Sequence, residues 1–270
     1  MGRGDQSAEG NRRYGPPVAQ RDEIVGFCNR LLEIDSFGDW GPNGLQVPGR
    51  PEVGRVSTAV SAHLASIEAA VMAESDLLLV HHGLFWDFHP RALTESMAAR
   101  LRAALDAELS IAAYHLPLDA HAEIGNNALL CRELGFEPEA GPIGEAKGSS
   151  IGVIGRREEG VEIADLTAAL TAAMGQEPLV FASGPDPIHS IGVVTGAGAS
   201  DVGQAIELGL DAFITGEPAE HVMADASEGG IHFLAAGHYA TERAGVRRLG
   251  ELVSAEFGVE AEFIEVPNPI

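Results

Sequence analysis

Cysteine and lysine are nearly missing from this sequence. Cys28 and Cys131 are its two cysteines, far apart and in no CxxC arrangement. That excludes a disulfide framework and a thiolate zinc site, and leaves two reduced, buried thiols as the expectation. Lys147 is the single lysine, and 17 basic residues face 40 acidic ones for a net charge of −23. Such a charge repels polyanion backbones, so no broad surface for duplex nucleic acid is expected. Acid excess with lysine depletion suits a high-salt cytoplasm, where charge repulsion is screened. A halophilic host is the expectation; equal melting temperatures in low and molar KCl would contradict it. No stretch approaches the roughly 18 apolar residues that span a bilayer, which excludes a membrane partner of that kind. The opening MGRGDQSAEGNRRYGPP has no apolar run for a signal peptide and mixes acids with its arginines. A cytoplasmic location is therefore expected.

What is present is a globular chain. Hydrophobic residues make up 45% of 270 positions, enough for one large α/β domain or two lobes of about 100–130 residues. Residues 1–20 are polar and without periodicity, and read as a disordered tail. A first helix is predicted over Asp22–Ile34, with Ile24, Phe27, Cys28 and Leu31 on one face. Trp40–Gly49 (WGPNGLQVPG) reads as a turn-rich loop. Strands at 55–61, 76–81 and 110–114 then alternate with helices at 63–74, 93–108 and 126–134. Near-continuous apolar strands alternating with helices imply a largely parallel sheet covered on both faces.

The second half repeats the scheme. VSTAVSAHLASIEAAVMAESDLLLVHHG compares with IGVVTGAGASDVGQAIELGLDAFITGE, and SIAAYHLPLD with HFLAAGHYATE. Pro218 is expected to open the helix after the TGE turn, and a long helix is predicted over Thr241–Phe257. The division is residues 21–140 for a first lobe holding HHG and HLPLD, and 141–270 for a second holding TGE and GHYATE. The last strand, Glu262–Val266, is free to return to the first lobe. The segment Glu145–Ala182 reads as an added strand–helix–strand piece without evident chemistry.

The histidines carry the chemistry. His81 and His82 close an apolar strand, and Gly83 permits the backbone turn that would bring both rings to one place. His115/Asp119 and His238/Glu242 each end a later strand with a histidine followed four residues on by an acid. Strand C-terminal ends are where open α/β sheets hold ligands. Asp119 is expected to project from an extended stretch kept so by Pro117, and His238 and Glu242 to share a helical face. Imidazoles and carboxylates suit divalent zinc, iron, manganese, cobalt or nickel rather than calcium. Five such ligands exceed one tetrahedral site and fit two ions sharing a carboxylate. His115 is a candidate proton shuttle or outer-layer donor, and Glu217 a candidate general base; His89 and His121 lie near enough to touch a substrate. The glycines of TGAGAS lack the context of a dinucleotide fingerprint.

With these residues identified, the chain resembles the Nif-three-like dinuclear metal-centre proteins, also catalogued as GTP cyclohydrolase I type 2 homologues, in their short bacterial form. The segments that carry the resemblance are PNGLQV, VHHGLFW, AYHLPLDAHAEIGNN, DAFITGE, AAGHYATERAGV and FIEVPNPI. The resemblance implies two interlocked α/β lobes, a toroidal homohexamer and two divalent ions per subunit on His81, His82, Asp119, His238 and Glu242. The cyclohydrolase name implies hydrolytic opening of the imidazole ring of GTP, so a small-molecule substrate, with a nucleotide the leading candidate. The alternative is a non-catalytic metal-binding ring that handles metal or serves as an interaction scaffold.

Overall fold

The computed structural model describes residues 18–270. Most of the expected disordered tail lies outside them. Its last residues do not follow that expectation: Ala19–Gln20 already pair antiparallel with Glu52–Val53. The fold is mixed α/β with two principal sheets.

The first sheet has five strands, in the order Glu260–Phe263, Arg55–Ser61, Leu77–His82, Ser110–Ala113, Gly44–Val47. Its first four run parallel, and Gly44–Val47 closes the edge antiparallel to Ser110–Ala113. The turn residues of WGPNGLQVPG predict a loop throughout. Here the turn chemistry is confined to its flanks, and Leu45-Gln46-Val47 between them pairs as an edge strand.

The second sheet has six strands, in the order Leu179–Phe181, His232–Ala235, Ala212–Thr215, Ile188–Val194, Val153–Val161, Glu137–Ala140. Only its centre is parallel. Both margins are antiparallel: Val153–Val161 runs opposite to Ile188–Val194 and Glu137–Ala140, and Leu179–Phe181 runs opposite to His232–Ala235. The sheets are therefore mixed, with a parallel centre in each. Those centres correspond: three adjacent parallel strands in sequential order, the third leading into a four-residue helical turn, Leu116–Asp119 in one and His238–Thr241 in the other.

The helix after each turn packs on the other sheet. Asn126–Glu133 places Ala128, Leu130 and Cys131 against Ile188, Ile191 and Val193 of the second sheet. Arg243–Phe257 places Val246, Leu249 and Val253 against Val56, Leu77 and Leu79 of the first. The crossing brings the two helical turns together. Cys28 and Cys131 are both free and buried, and burial pushes each thiol up to about 12, so neither is a nucleophile at neutral pH. Pro218 does not open a helix; the helix begins at Val222, after a turn. No helix among the described residues is long and apolar enough to cross a membrane.

Candidate metal centre

His81 and His82 end the strand Leu77–His82, at the last pairing with Ser61. Both rings lie at one place, with centroids 4.7 Å apart. His81 is fully buried, and its Nδ1 is 2.9 Å from the Tyr114 carbonyl. A carbonyl can only accept, so Nδ1 donates and Nε2 faces inward. There it lies 3.5 Å from Asp119 Oδ2 and 3.6 Å from Glu242 Oε1. His82 Nδ1 lies 3.0 Å from Ser61 Oγ, and its Nε2 is 3.2 Å from Glu242 Oε2.

Asp119 sits on the helical turn after the third strand. Pro117 lies within the first turn of that helix, where a missing N–H costs nothing, so the expected extended stretch is replaced by a turn. Asn126 Nδ2 donates to Asp119 Oδ1 at 2.8 Å and turns the other oxygen towards His81. Across the centre, Gly237 at φ 96° admits a sharp turn into His238–Thr241. His238 Nε2 is 3.1 Å from Glu242 Oε2, while its Nδ1 is 2.5 Å from Glu217 Oε1. Glu217 thus stands behind His238. It also lines a cavity of about 160 Å3 with Ser61, His82, Tyr239 and Asn268.

His115 Nδ1 is 2.8 Å from Asp39 Oδ1. Its ring lies 5.0 Å from that of His81 and 5.5 Å from that of His82. Asp39 also accepts from Trp40 N, Asn43 Nδ2 and Leu116 N. Burial raises the Asp39 carboxyl, but the hydrogen bond and charge of His115 outweigh it and hold the carboxyl below its usual range. Elsewhere, His121 accepts from two backbone N–H groups of its own turn, and His89 lines a separate, larger cavity.

The donor atoms form three sets that could hold an ion: His81/Asp119/Glu242, His82/His238/Glu242 and His81/His82/His115. Glu242 belongs to the first two. His81 Nε2 and Glu242 Oε2 are fully buried without an aligned hydrogen-bond partner. Buried polar atoms are rarely left so, because each costs about 1–3 kcal/mol. Here they converge on shared space, as ligand lone pairs do. The residues fit divalent metal by this test and by donor chemistry.

The electrostatics agree. Burial lowers His81, but Asp119 and Glu242 overcome it and raise it to about 10. Burial likewise opposes the rise of His238 to about 9, driven by Glu242 and Glu217. Burial, followed by the other imidazoles, takes His82 down to about 3 despite the attraction of Glu242. Without a metal cation, protons on His81 and His238 supply the positive charge that the carboxylates demand. Metal uptake at pH 7 is therefore expected to release protons, with apparent affinity rising up to about pH 9–10. Calorimetry in buffers of different ionisation enthalpy measures this; a buffer-independent heat would contradict it. For the metal-free fold the sign is opposite. These raised histidines stabilise it fully below 6.5, and the contribution is lost as pH rises through about 9–10.

A family model described as Duf34/NIF3 (NGG1p interacting factor 3) matches residues 19–269. The chain belongs to this family. A Pseudomonas aeruginosa protein named "GTP cyclohydrolase 1 type 2 homolog" is 43% identical over 246 residues, covering 91% of this chain and 97% of that one. An Archaeoglobus fulgidus protein of the same name is 39% identical over 248 residues, covering 91% and 98%. Among solved structures, a protein titled ybgI, of unknown function, superposes with a TM-score of 0.88 at 35% identity, covering 93% and 100%. TTHA1606 from Thermus thermophilus follows at 0.84 and 34%, with the same coverage.

Several residues that shape this family member's site carried no readable signal. Asp39 looks like any acid before a turn, and Ser61 like any strand end. Asn126 and Asn127 look like helix-start polar residues. Gly196, in the TGAGAS segment, is another. A Cβ there would overlap Glu242 Oε1 and approach His238 Nε2 to 3.2 Å, and its φ is 70°. Gly196→Ala is expected to lower metal content at least tenfold. Gly203→Ala, which meets nothing within 4 Å, should leave it unchanged. Metal analysis of both variants decides; equal content would remove Gly196 from the site.

Proposed function

We propose that this protein is a hydrolase dependent on two divalent ions and acting on a nucleotide-like small molecule, with opening of the GTP imidazole ring as the leading reaction. One observation carries the reading. Two three-residue donor sets share Glu242, and every histidine in them has its outward nitrogen held by another group. Metal-ligating histidines are oriented in this way. His81, Asp119 and Glu242 would hold one ion, and His82, His238 and Glu242 the other. Zinc, iron, manganese, cobalt and nickel all suit this donor set. When bound, such a pair supplies Lewis acidity that activates water and stabilises developing negative charge.

The protein's own groups do the rest. Asp39 accepts from His115 Nδ1 and presents Nε2 to the space shared with His81 and His82, where it can take and return a proton. Glu217 orients His238, a better fit to its position than the general base read from sequence. A metal store needs ligands and access but no such carboxylate–imidazole pair outside the two donor sets. The pair therefore favours catalysis over the scaffold alternative. A homohexamer in the cytoplasm, in a high-salt host, completes the reading.

The test is metal analysis joined to a hydrolysis screen that includes GTP. Two ions per chain are expected, with loss of at least one and of turnover in His82→Ala. His115→Ala should keep its metal and lose about 10²–10⁴-fold in turnover. Full occupancy with no turnover across a broad screen would overturn the hydrolase reading, and wild-type turnover in His115→Ala would remove that residue from the mechanism.

A further inference from the structure

A cavity of about 620 Å3 lies outside the candidate metal centre. That is the size of a small-molecule site. It lies along the segment that joins Gly83 to the helix Glu95–Asp106, and Phe85, Trp86, Arg91, Thr94 and Arg100 help to line it. Its lining charge runs against the molecule. In a chain of net charge −23, it offers two guanidiniums and only one carboxylate, that of Asp87. Elsewhere, Arg50, Arg55, Arg243, Arg247 and Arg248 have ion-pair partners, whereas Arg30, Arg102, Arg156 and Arg157, which line no part of this cavity, have none among the described residues. Among the described residues, Arg91 and Arg100 have neither an ion pair nor a side-chain hydrogen bond. Two unspent guanidinium forks in one cavity match phosphate oxygens.

The aromatic wall leads from this cavity to the metal centre. Phe85 and Trp86 also line the small cleft that contains His81 and His115. Trp86 stands edge-on to His115 at 5.0 Å and stacks on Phe88 at 5.6 Å. Its Nε1–H donates to the Gly83 carbonyl at 3.1 Å, which pins the ring to the strand end that carries His81 and His82. The same two aromatic side chains therefore border both the arginine-lined cavity and the cleft at the imidazoles.

We propose that this cavity binds a nucleoside phosphate, with Arg91 and Arg100 on the phosphates and the Phe85–Trp86 wall against the base. The assignment deepens the hydrolase reading by locating its substrate, and it rests on that reading only for what happens to the ring after binding. An acidic protein repels anions at long range, so a nucleotide needs a local cationic seat such as this one.

The test is calorimetric binding to the metal-loaded full-length protein, using GTP, ATP, CTP, UTP, guanosine and tripolyphosphate, with turnover read separately. GTP is expected to bind more tightly than guanosine or tripolyphosphate. Arg91→Ala and Arg100→Ala should each weaken GTP about tenfold or more, with guanosine affinity, metal content and melting temperature unchanged. Wild-type GTP affinity in both variants would place the phosphates elsewhere and overturn the proposal. So would no binding of any triphosphate, or a change of oligomeric size in the variants in place of the affinity loss. Binding without turnover would uphold this site while counting against the hydrolase reading, so the two fail separately.

Discussion

Replacing Glu242 with alanine is expected to empty both halves of the metal centre at once. Its carboxylate is the only group common to the His81/Asp119 and His82/His238 sets. It lies 3.1–3.6 Å from three imidazole nitrogens and is almost fully buried. Burial raises its pKa, but His82, His81 and His238 hold it well below the usual carboxylate range, so it is anionic wherever the protein is folded at neutral pH. Removing an outer-layer partner of a metal site costs about 10–100-fold in affinity; removing a ligand shared by two ions should exceed that for both. Metal analysis of Glu242→Ala should find less than a tenth of the wild-type content. Glu242→Gln keeps the shape and removes the charge, and should lose metal almost as fully. Asp119→Asn should behave differently, because Asp119 belongs to one donor set only: the His82/His238 half should keep its ion. Full occupancy in Glu242→Gln would show that the carboxylate is not shared.

The largest stability loss is expected at Asn127, which is not itself one of the proposed metal ligands. Asn127 is fully buried, and its side chain makes three hydrogen bonds, two of them to residues distant in sequence. Nδ2 donates to the carbonyls of Asp119 and Ile151, and Oδ1 accepts from Thr195 N–H. These tie the helical turn after the first sheet to the end of the second sheet's strand Ile188–Val194. Asn127→Ala leaves all three backbone groups buried and unpaired, at about 1–3 kcal/mol each. A loss of about 3–5 kcal/mol is expected, a large share of the 5–15 kcal/mol typical of a folded protein. In a chain of this size that lowers the melting temperature by about 10 °C or more. Asn127→Asp should fare no better, since a carboxylate oxygen would face two carbonyls. Thermal unfolding of both variants measures this, and a shift under about 2 °C would show that water replaces the side chain.

The structure explains how much of this could be read beforehand. Apolar strands with alternating helices were legible because burial on both faces needs near-continuous hydrophobic runs, as in Leu77-Leu78-Leu79-Val80. The margins of the second sheet were not. Val153–Val161 and Leu179–Phe181 look alike whether they pair parallel or antiparallel, since strand direction depends on neighbours distant in sequence. The strand Gly44–Val47 was masked by the Gly and Pro around it. Pro117 and Pro218 depart from expectation in opposite senses: proline tolerates a first helical turn and an extended segment equally, and its surroundings choose.

The candidate metal centre divides the same way. By itself the sequence determined only the candidates, through two histidines at a strand end and two His–acid pairs at matched strand ends, and the family resemblance picks His81, His82, Asp119, His238 and Glu242 among them as the expected ligands. Only the tertiary structure decided how they meet. Helices 126–133 and 243–257 cross to opposite sheets, and that crossing brings Asp119 and Glu242 to His81 from different halves of the chain. It also decided the supporting atoms: Asp39 behind His115, Ser61 beside His82, Glu217 behind His238, and the bare Cα of Gly196 beside Glu242. A ligand is recognised by its side-chain chemistry, which is local and therefore written in the sequence. A supporting atom is defined by its distance to something else, and that distance exists only once the chain has folded.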